Sequence, residues 1–205
     1  MIGAVPAIRR ALVPVLGFLA VLGLSGCGYA LQNSRTNSLR EVGVSRVYIA
    51  PVKNLTYKPG VEIVVYNALV EALLTGHRLK IVDKPELSDA ILESNVDKAT
   101  YAPTVTTFAS AIFPTTVAAL NVFVATEYQA DVTCSFKLRR QKNGVGTETL
   151  WESGFSRSKR FAGNNQKIEY GTTSGLINES EFDRTLDEVA HGMMQDVHES
   201  MVARF

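Results

Sequence analysis

The alternation of apolar and polar side chains is sharpest between Glu127 and Arg139. Tyr128, Ala130, Val132, Cys134, Phe136 and Leu138 alternate with Glu127, Gln129, Asp131, Thr133, Ser135, Lys137 and Arg139. Strict period two over this length specifies a strand with one buried face and one wet face. Asn143-Gly144 then supplies a residue pair suited to a two-residue hairpin turn, and Thr147 to Phe161 is the return strand, with Trp151 and Phe155 inward. Shorter strand patterns lie upstream. Arg46 to Pro51 carries Val47 and Ile49 on one face, Arg78 to Val82 is the next, and Ala90 to Tyr101 has Ala90, Leu92 and Val96 in phase, with Pro103 closing it. Val52 to Pro59 and Pro85 to Ser88 read as turns.

Two stretches change to a helical period. Val61, Val65, Leu69 and Leu73 recur every four residues, with Ala68 and Ala72 beside them. This helix is expected to start near Pro59 or Gly60, since the N–H that proline lacks is not needed at a first helical position. Gly76 is placed to end it as a left-handed cap. A last helix is predicted from about Ser180 to Val202, with Phe182, Leu186, Val189, Met193, Val197 and Met201 as its apolar stripe. Ser180 with Asp183 resembles a capping box. Gly192 within it costs about 1 kcal/mol relative to alanine. Residues 162–178, rich in Gly, Asn and Thr, read as a loop. The order β-α-β-β-β-β-α predicts an α+β two-layer sandwich, two helices packed on one face of a mostly antiparallel mixed sheet, the first β-α-β unit supplying a parallel pair.

The start of the chain follows a different logic. Arg9 and Arg10 precede an uncharged, mostly apolar run, Ala11 to Leu24, which is short of the roughly 20 residues of a membrane-spanning helix. It ends in Leu24-Ser25-Gly26-Cys27, which resembles the bacterial lipobox. Small residues let the backbone enter a peptidase cleft, and the thiol is the nucleophile that takes up diacylglycerol. Residues 1–26 are therefore expected to be a lipoprotein signal peptide, Cys27 the lipidation site, 27–43 a lipidated tether, and 44–205 a single α+β domain. Gly28, in place of an aspartate, favours the outer membrane, with the domain on the periplasmic side.

Charge excludes more than it selects. With Arg9 and Arg10 removed, 19 basic residues face 20 acidic ones, so no global basic field argues for nucleic acid. With Cys27 acylated, Cys134 has no intramolecular partner and reads as a buried small hydrophobe. His77, His191 and His198 make no His-Glu-x-x-His, and neither a nucleophile elbow nor a phosphate-binding glycine loop is present, so neither catalytic nor metal residues are assigned and no cofactor is expected.

The opening Cys27-Gly28-Tyr29-Ala30-Leu31 and the block Val47 to Gly60, continuing through Glu62, Asn67-Ala68-Leu69, Arg78-Leu79, Val82-Asp83 and Ser88 to Tyr101, resemble the lipopolysaccharide-assembly lipoprotein family (LptE). The resemblance covers roughly residues 27–140 and, by topology, the last helix. It implies an outer-membrane lipoprotein that sits in a β-barrel translocon (LptD-like), supports its assembly and contacts lipopolysaccharide. Envelope lipoproteins of the curli-secretion and penicillin-binding-protein-activator types share a similar Asn-x-Thr-x-x-Pro-Gly block. They imply an alternative: an oligomer, or a binder of a cell-wall enzyme.

Two features stand apart. An uncharged apolar insert at 103–126 contains Phe108, Phe113 and Leu120. It is either an extra element completing the core or a partner-facing loop. Lys137, Arg139, Arg140 and Lys142 on one strand, with Arg157, Lys159 and Arg160 on its partner, are basic enough to meet lipid phosphates. Of these, Lys137, Arg139, Arg140, Arg157 and Lys159 are the candidate lipid-phosphate ligands. The plainer alternative is solvation of the sheet.

Overall fold

The computed structural model describes residues 39, 42–108, 123–163 and 173–203, all within one compact unit, Asn37–Phe205. Its elements are β1 (Arg46–Ile49), β2 (Lys53–Asn54), α1 (Val61–Thr75), β3 (Lys80–Ile81), a 3-10 turn (Pro85–Leu87), β4 (Ala90–Phe108), β5 (Phe123–Lys142), β6 (Val145–Ala162) and α2 (Thr173–Ala203). The sheet runs β3-β1-β4-β5-β6, with β2 following β1 along the same flank of β4. The pairs β1–β3, β1–β4 and β2–β4 are parallel; β4–β5 and β5–β6 are antiparallel. This is the predicted α+β sandwich with one addition, since the segment read as a turn contains the two-residue β2.

Both helices cover one face of the sheet. The stripe Val61, Val65, Ala68, Leu69 and Leu73 of α1 and the stripe Phe182, Leu186, Val189, Met193, Val197 and Met201 of α2 are buried against Val47, Ile49, Leu92, Val132, Phe136 and Leu138. Cys134 is buried in the same layer, and burial, with a smaller contribution from Asp97, pushes its thiol up to about 12. Leu39, from the stretch read as tether, is also fully buried, and Val44 N–H donates to its carbonyl at 2.8 Å.

Several boundaries depart from the sequence reading, each for a physical reason. Pro103 does not close β4; it pairs with Tyr128 inside the strand. Past Val96 no described strand lies on the other flank of β4, and register shifts flank the proline, so its missing N–H interrupts no ladder there. Asp97 is an extra residue between Val96 and Lys98. Such a bulge moves the inward positions to Ala99 and Tyr101. Gly76 ends α1 with right-handed dihedrals (φ −67°), and His77 takes the left-handed position (φ 50°). Pro59 lies ahead of the Gly60 cap instead of at the first helical position. Ser180 is no N-cap, because α2 begins at Thr173, and Asp183 binds Lys58 instead. The hairpin turn matches the expectation: Asn143 (φ 54°) and Gly144 (φ 78°) both have positive φ, the requirement of a type I′ turn.

Asp89 fixes the start of β1. Its carboxylate accepts from Ser45 N (3.0 Å), Ser45 Oγ (2.9 Å), Arg46 N (2.8 Å) and Arg46 Nη2 (2.8 Å). Burial alone would raise its pKa, but the bonds from Arg46 and Ser45 outweigh it and hold the group well below the ordinary carboxylate range. A lowered folded-state pKa contributes stability above the unfolded value, and that stability is lost as pH falls below about 4. Asp89→Asn is therefore expected to cost about 1 kcal/mol at neutral pH and to flatten the acid limb of a melting-temperature profile. An acid limb identical to the wild type would contradict this.

Candidate functional site

The pleat sorts the basic residues onto two faces. Lys137 and Arg139 stand on the face away from the helices, where Lys137 pairs with Glu152 (3.1 Å) and Arg139 with Glu93 (3.5 Å). Arg157 and Lys159 are in register with Val132 and Ala130, so they stand on the helix face. There Arg157 meets Asp196 of α2 at 2.9 Å and Lys159 meets Glu188. Arg140 pairs with Glu148 (3.2 Å) and donates to the Val42 carbonyl through Nη1 and Nη2, both at 3.2 Å. Arg160 approaches Glu127 at 3.4 Å on the open face. The five candidate ligands thus form no single cluster. Two belong to the open face, two tie α2 to the sheet, and one fixes the chain before β1.

Gly192, which sequence reasoning treated only as a helix defect, makes room for this arrangement. A β-carbon there would lie 2.8 Å from Cζ of Arg157. The arginine can cross the helix surface because the residue beneath it has no side chain.

The apolar insert is anchored in an arm of the sheet. Beyond the last β5–β6 rung, Glu127 with Ala162, β4 and β5 continue alone to the rung Phe108 with Phe123. Val105 and Phe108 are about half exposed and do not enter the core. Phe113 and Leu120 lie outside the described residues, as does Cys27.

At the root of this arm is a cluster that the sequence reading missed. Tyr101, Tyr128, Phe161 and Phe182 pack edge to face and stacked, with Tyr101 and Phe182 centroids 4.7 Å apart. Lys58 Nζ sits 5.2 Å from the Phe182 ring centroid, bonded to Glu179 and to Asp183 (2.5 Å). Burial would lower the lysine pKa, but its bonds to Asp183 and Glu179 raise it on balance, so Lys58 stays charged. Burial, then Glu179, pushes the Tyr101 phenol up. The loop bearing Lys58 is held by Asn54, whose Nδ2 donates to the Lys58 carbonyl and to Glu62 Oε2, both at 2.8 Å, while its Oδ1 accepts from Thr56 N and Oγ1. That network gives the Asn-x-Thr-x-x-Pro-Gly block a structural meaning: it locks α1 and α2 together at the base of the arm.

His191 and His198 lie in the seam between the helices. His191 Nδ1 is 3.4 Å from Glu71 and its Nε2 is 3.6 Å from Asp187. No group of three or more His, Cys, Asp or Glu residues that could hold a metal ion occurs among the described residues. Asp131, on the open face, bonds to Gln129 (3.0 Å) and Lys98 (3.3 Å); the Gln129 bond first, then Lys98, lowers its pKa against the opposing effect of burial. No described helix is long and apolar enough to cross a membrane.

The family model for LptE, lipopolysaccharide-assembly, matches residues 44–205, the whole of this sandwich. The chain belongs to the LptE family. Among curated proteins, none matches it in sequence. The chain also has similarity to several solved structures. A putative lipoprotein from Caulobacter crescentus shares 8% identity over 76% of this chain and 92% of its own, with a TM-score of 0.43. The rare lipoprotein B from Shewanella oneidensis shares 13% over 76% and 94%, with a TM-score of 0.45. The PelC dodecamer from Paraburkholderia phytofirmans shares 15% over 79% and 90%, with a TM-score of 0.44.

Proposed function

We propose that this LptE-family protein is an outer-membrane lipoprotein, acylated at Cys27, that partners a β-barrel translocon in lipopolysaccharide transport and assembly. The observation that carries the reading is the family match, which spans every element of the folded domain. Its role is occupancy rather than catalysis. A rigid two-layer body fills space inside the barrel, and the arm ending at Phe108, with Phe113 and Leu120 beyond it, meets the barrel. Of the five candidate ligands, Lys137 and Arg139 are the two that stand on the face away from the helices. They stand where a lipid phosphate could exchange for Glu152 and Glu93, since such half-exposed ion pairs are worth little in water. Arg140, Arg157 and Lys159 serve the lipid indirectly, by holding the chain before β1 and α2 in place.

The test is recovery of the acylated protein from outer membranes. One large β-barrel protein is expected to co-purify with it. A homo-oligomeric ring without a barrel would refute the reading. Cys27→Ser is expected to move the protein from the membrane to the soluble periplasmic fraction, because the acyl chains are its proposed anchor; unchanged membrane association would remove Cys27 as the attachment point.

A further inference from the structure

Helix α1 carries more apolar surface than its own fold uses. Its inner stripe is buried, yet Ile63, Tyr66 and Leu74 are exposed and, with the half-buried Val70, form a second stripe. At 100° per residue these four positions fall within about 80° of the helix circumference. Ile63 is 60% exposed and Leu74 54%. A helix that is apolar on most of its surface belongs in an interior. Ile63 and Tyr66 also form one wall of a groove of about 390 Å³, whose other wall is Tyr48, Ile81 and Val82 at the β1–β3 edge of the sheet.

Charge decides what covers this face. The charged residues of α1 are Glu62 and Glu71, and those lining the groove are Glu62 and Asp83. A second copy packed helix to helix would offer these carboxylates no Lys or Arg, since α1 carries none. A membrane-surface helix would carry Lys or Arg on its polar face, and α1 has none. Acidic groups around an apolar groove complement a polypeptide segment whose apolar side chains are flanked by Lys or Arg.

We propose that the outer face of α1 and the groove beside it dock an apolar, lysine- or arginine-bearing segment of the β-barrel partner. This rests on the function proposed above and assigns that partner a second contact, separate from the arm. The experiment uses the full-length acylated protein in cells. A photo-cross-linking phenylalanine analogue at Ile63 or Tyr66 is expected to give an adduct with the same barrel protein that co-purifies with the wild type, at a peptide of the stated composition. Ile63→Glu with Tyr66→Glu is expected to lower recovery of the barrel by about tenfold or more, with the melting temperature unchanged, as for loss of an interface hot spot. An adduct of twice the monomer mass, an adduct with phospholipid, or full barrel recovery by the double variant overturns the proposal and leaves the barrel partnership standing. Absence of any barrel in the wild-type preparation overturns both.

Discussion

Phe136→Ala is expected to lower the unfolding free energy by about 3–5 kcal/mol, the range for truncating a fully buried phenyl ring. Phe136 is 1% exposed on β5, in the core between the sheet and the helix layer. Its neighbours on the same rungs are Ser94 and Ser153, which are small, and its ring meets Phe155 edge on at 6.0 Å. Two serines cannot reach into the space that a lost phenyl leaves, so the cavity stays open. Ordinary domains are stable by only about 5–15 kcal/mol, so the variant should be partly unfolded at physiological temperature. Urea denaturation measures it directly. Phe136→Leu is expected to lose far less, and an alanine loss below about 1 kcal/mol would show that the site collapses.

Gly76→Ala is expected to destabilise the domain by about 1 kcal/mol, for a reason that its position at a helix end does not suggest. The backbone there is right-handed, so alanine is conformationally welcome and helix propensity alone would favour it by up to about 1 kcal/mol. Space reverses the sign. An added β-carbon would lie 2.2 Å from Nε2 of His198, an overlap that forces the ring out of the seam. Overpacking of this kind costs about 1–3 kcal/mol, set by how far the ring must shift, which outweighs the gain in propensity. The double variant Gly76→Ala with His198→Ala should therefore be more stable than the sum of its parts implies. Simple additivity in a double-mutant cycle would mean that Gly76 acts through its backbone instead. The same imidazole has a pH signature. Burial first, then Arg78, lowers its pKa against the opposing effect of Glu199. It is neutral in the fold, and the stability tied to it declines as pH falls through the ordinary histidine range.

Much of this architecture was legible in the one-dimensional pattern, and the failures have specific causes. β5 reads cleanly because the helix layer lies over one of its faces for most of its length, which imposes an unbroken alternation. β4 does not, because Asp97 shifts the phase and Pro103 is tolerated where the strand has lost one neighbour. The start of α2 was hidden because Gly175 and Asn178 are poor helix formers, and the Lys58 bonds to Glu179 and Asp183 outweigh their propensities. The division of the basic residues was available in the sequence. Arg157 and Lys159 share parity with Trp151 and Phe155, which read as inward, so they could not share a surface with Lys137 and Arg139. The outer stripe of α1 also left a signal, a 15-residue helix with two charges. The role of Gly76 left none, since it depends on a ring more than a hundred residues away.

The outer margin of the sheet has a consequence for life at high concentration. β6 is eighteen residues long, and among the described residues nothing pairs with its far side. An unpaired strand of that length is a template on which further chains could stack without limit. Here Glu148, Glu152, Arg157, Lys159 and Arg160 interrupt it, and several of those side chains are already committed to α2 or β5. A chain adding to this margin would have to seat its own side chains beside these charges on both faces. Charges that hold the last helix in place thus also disfavour the stacking of further chains along this open margin.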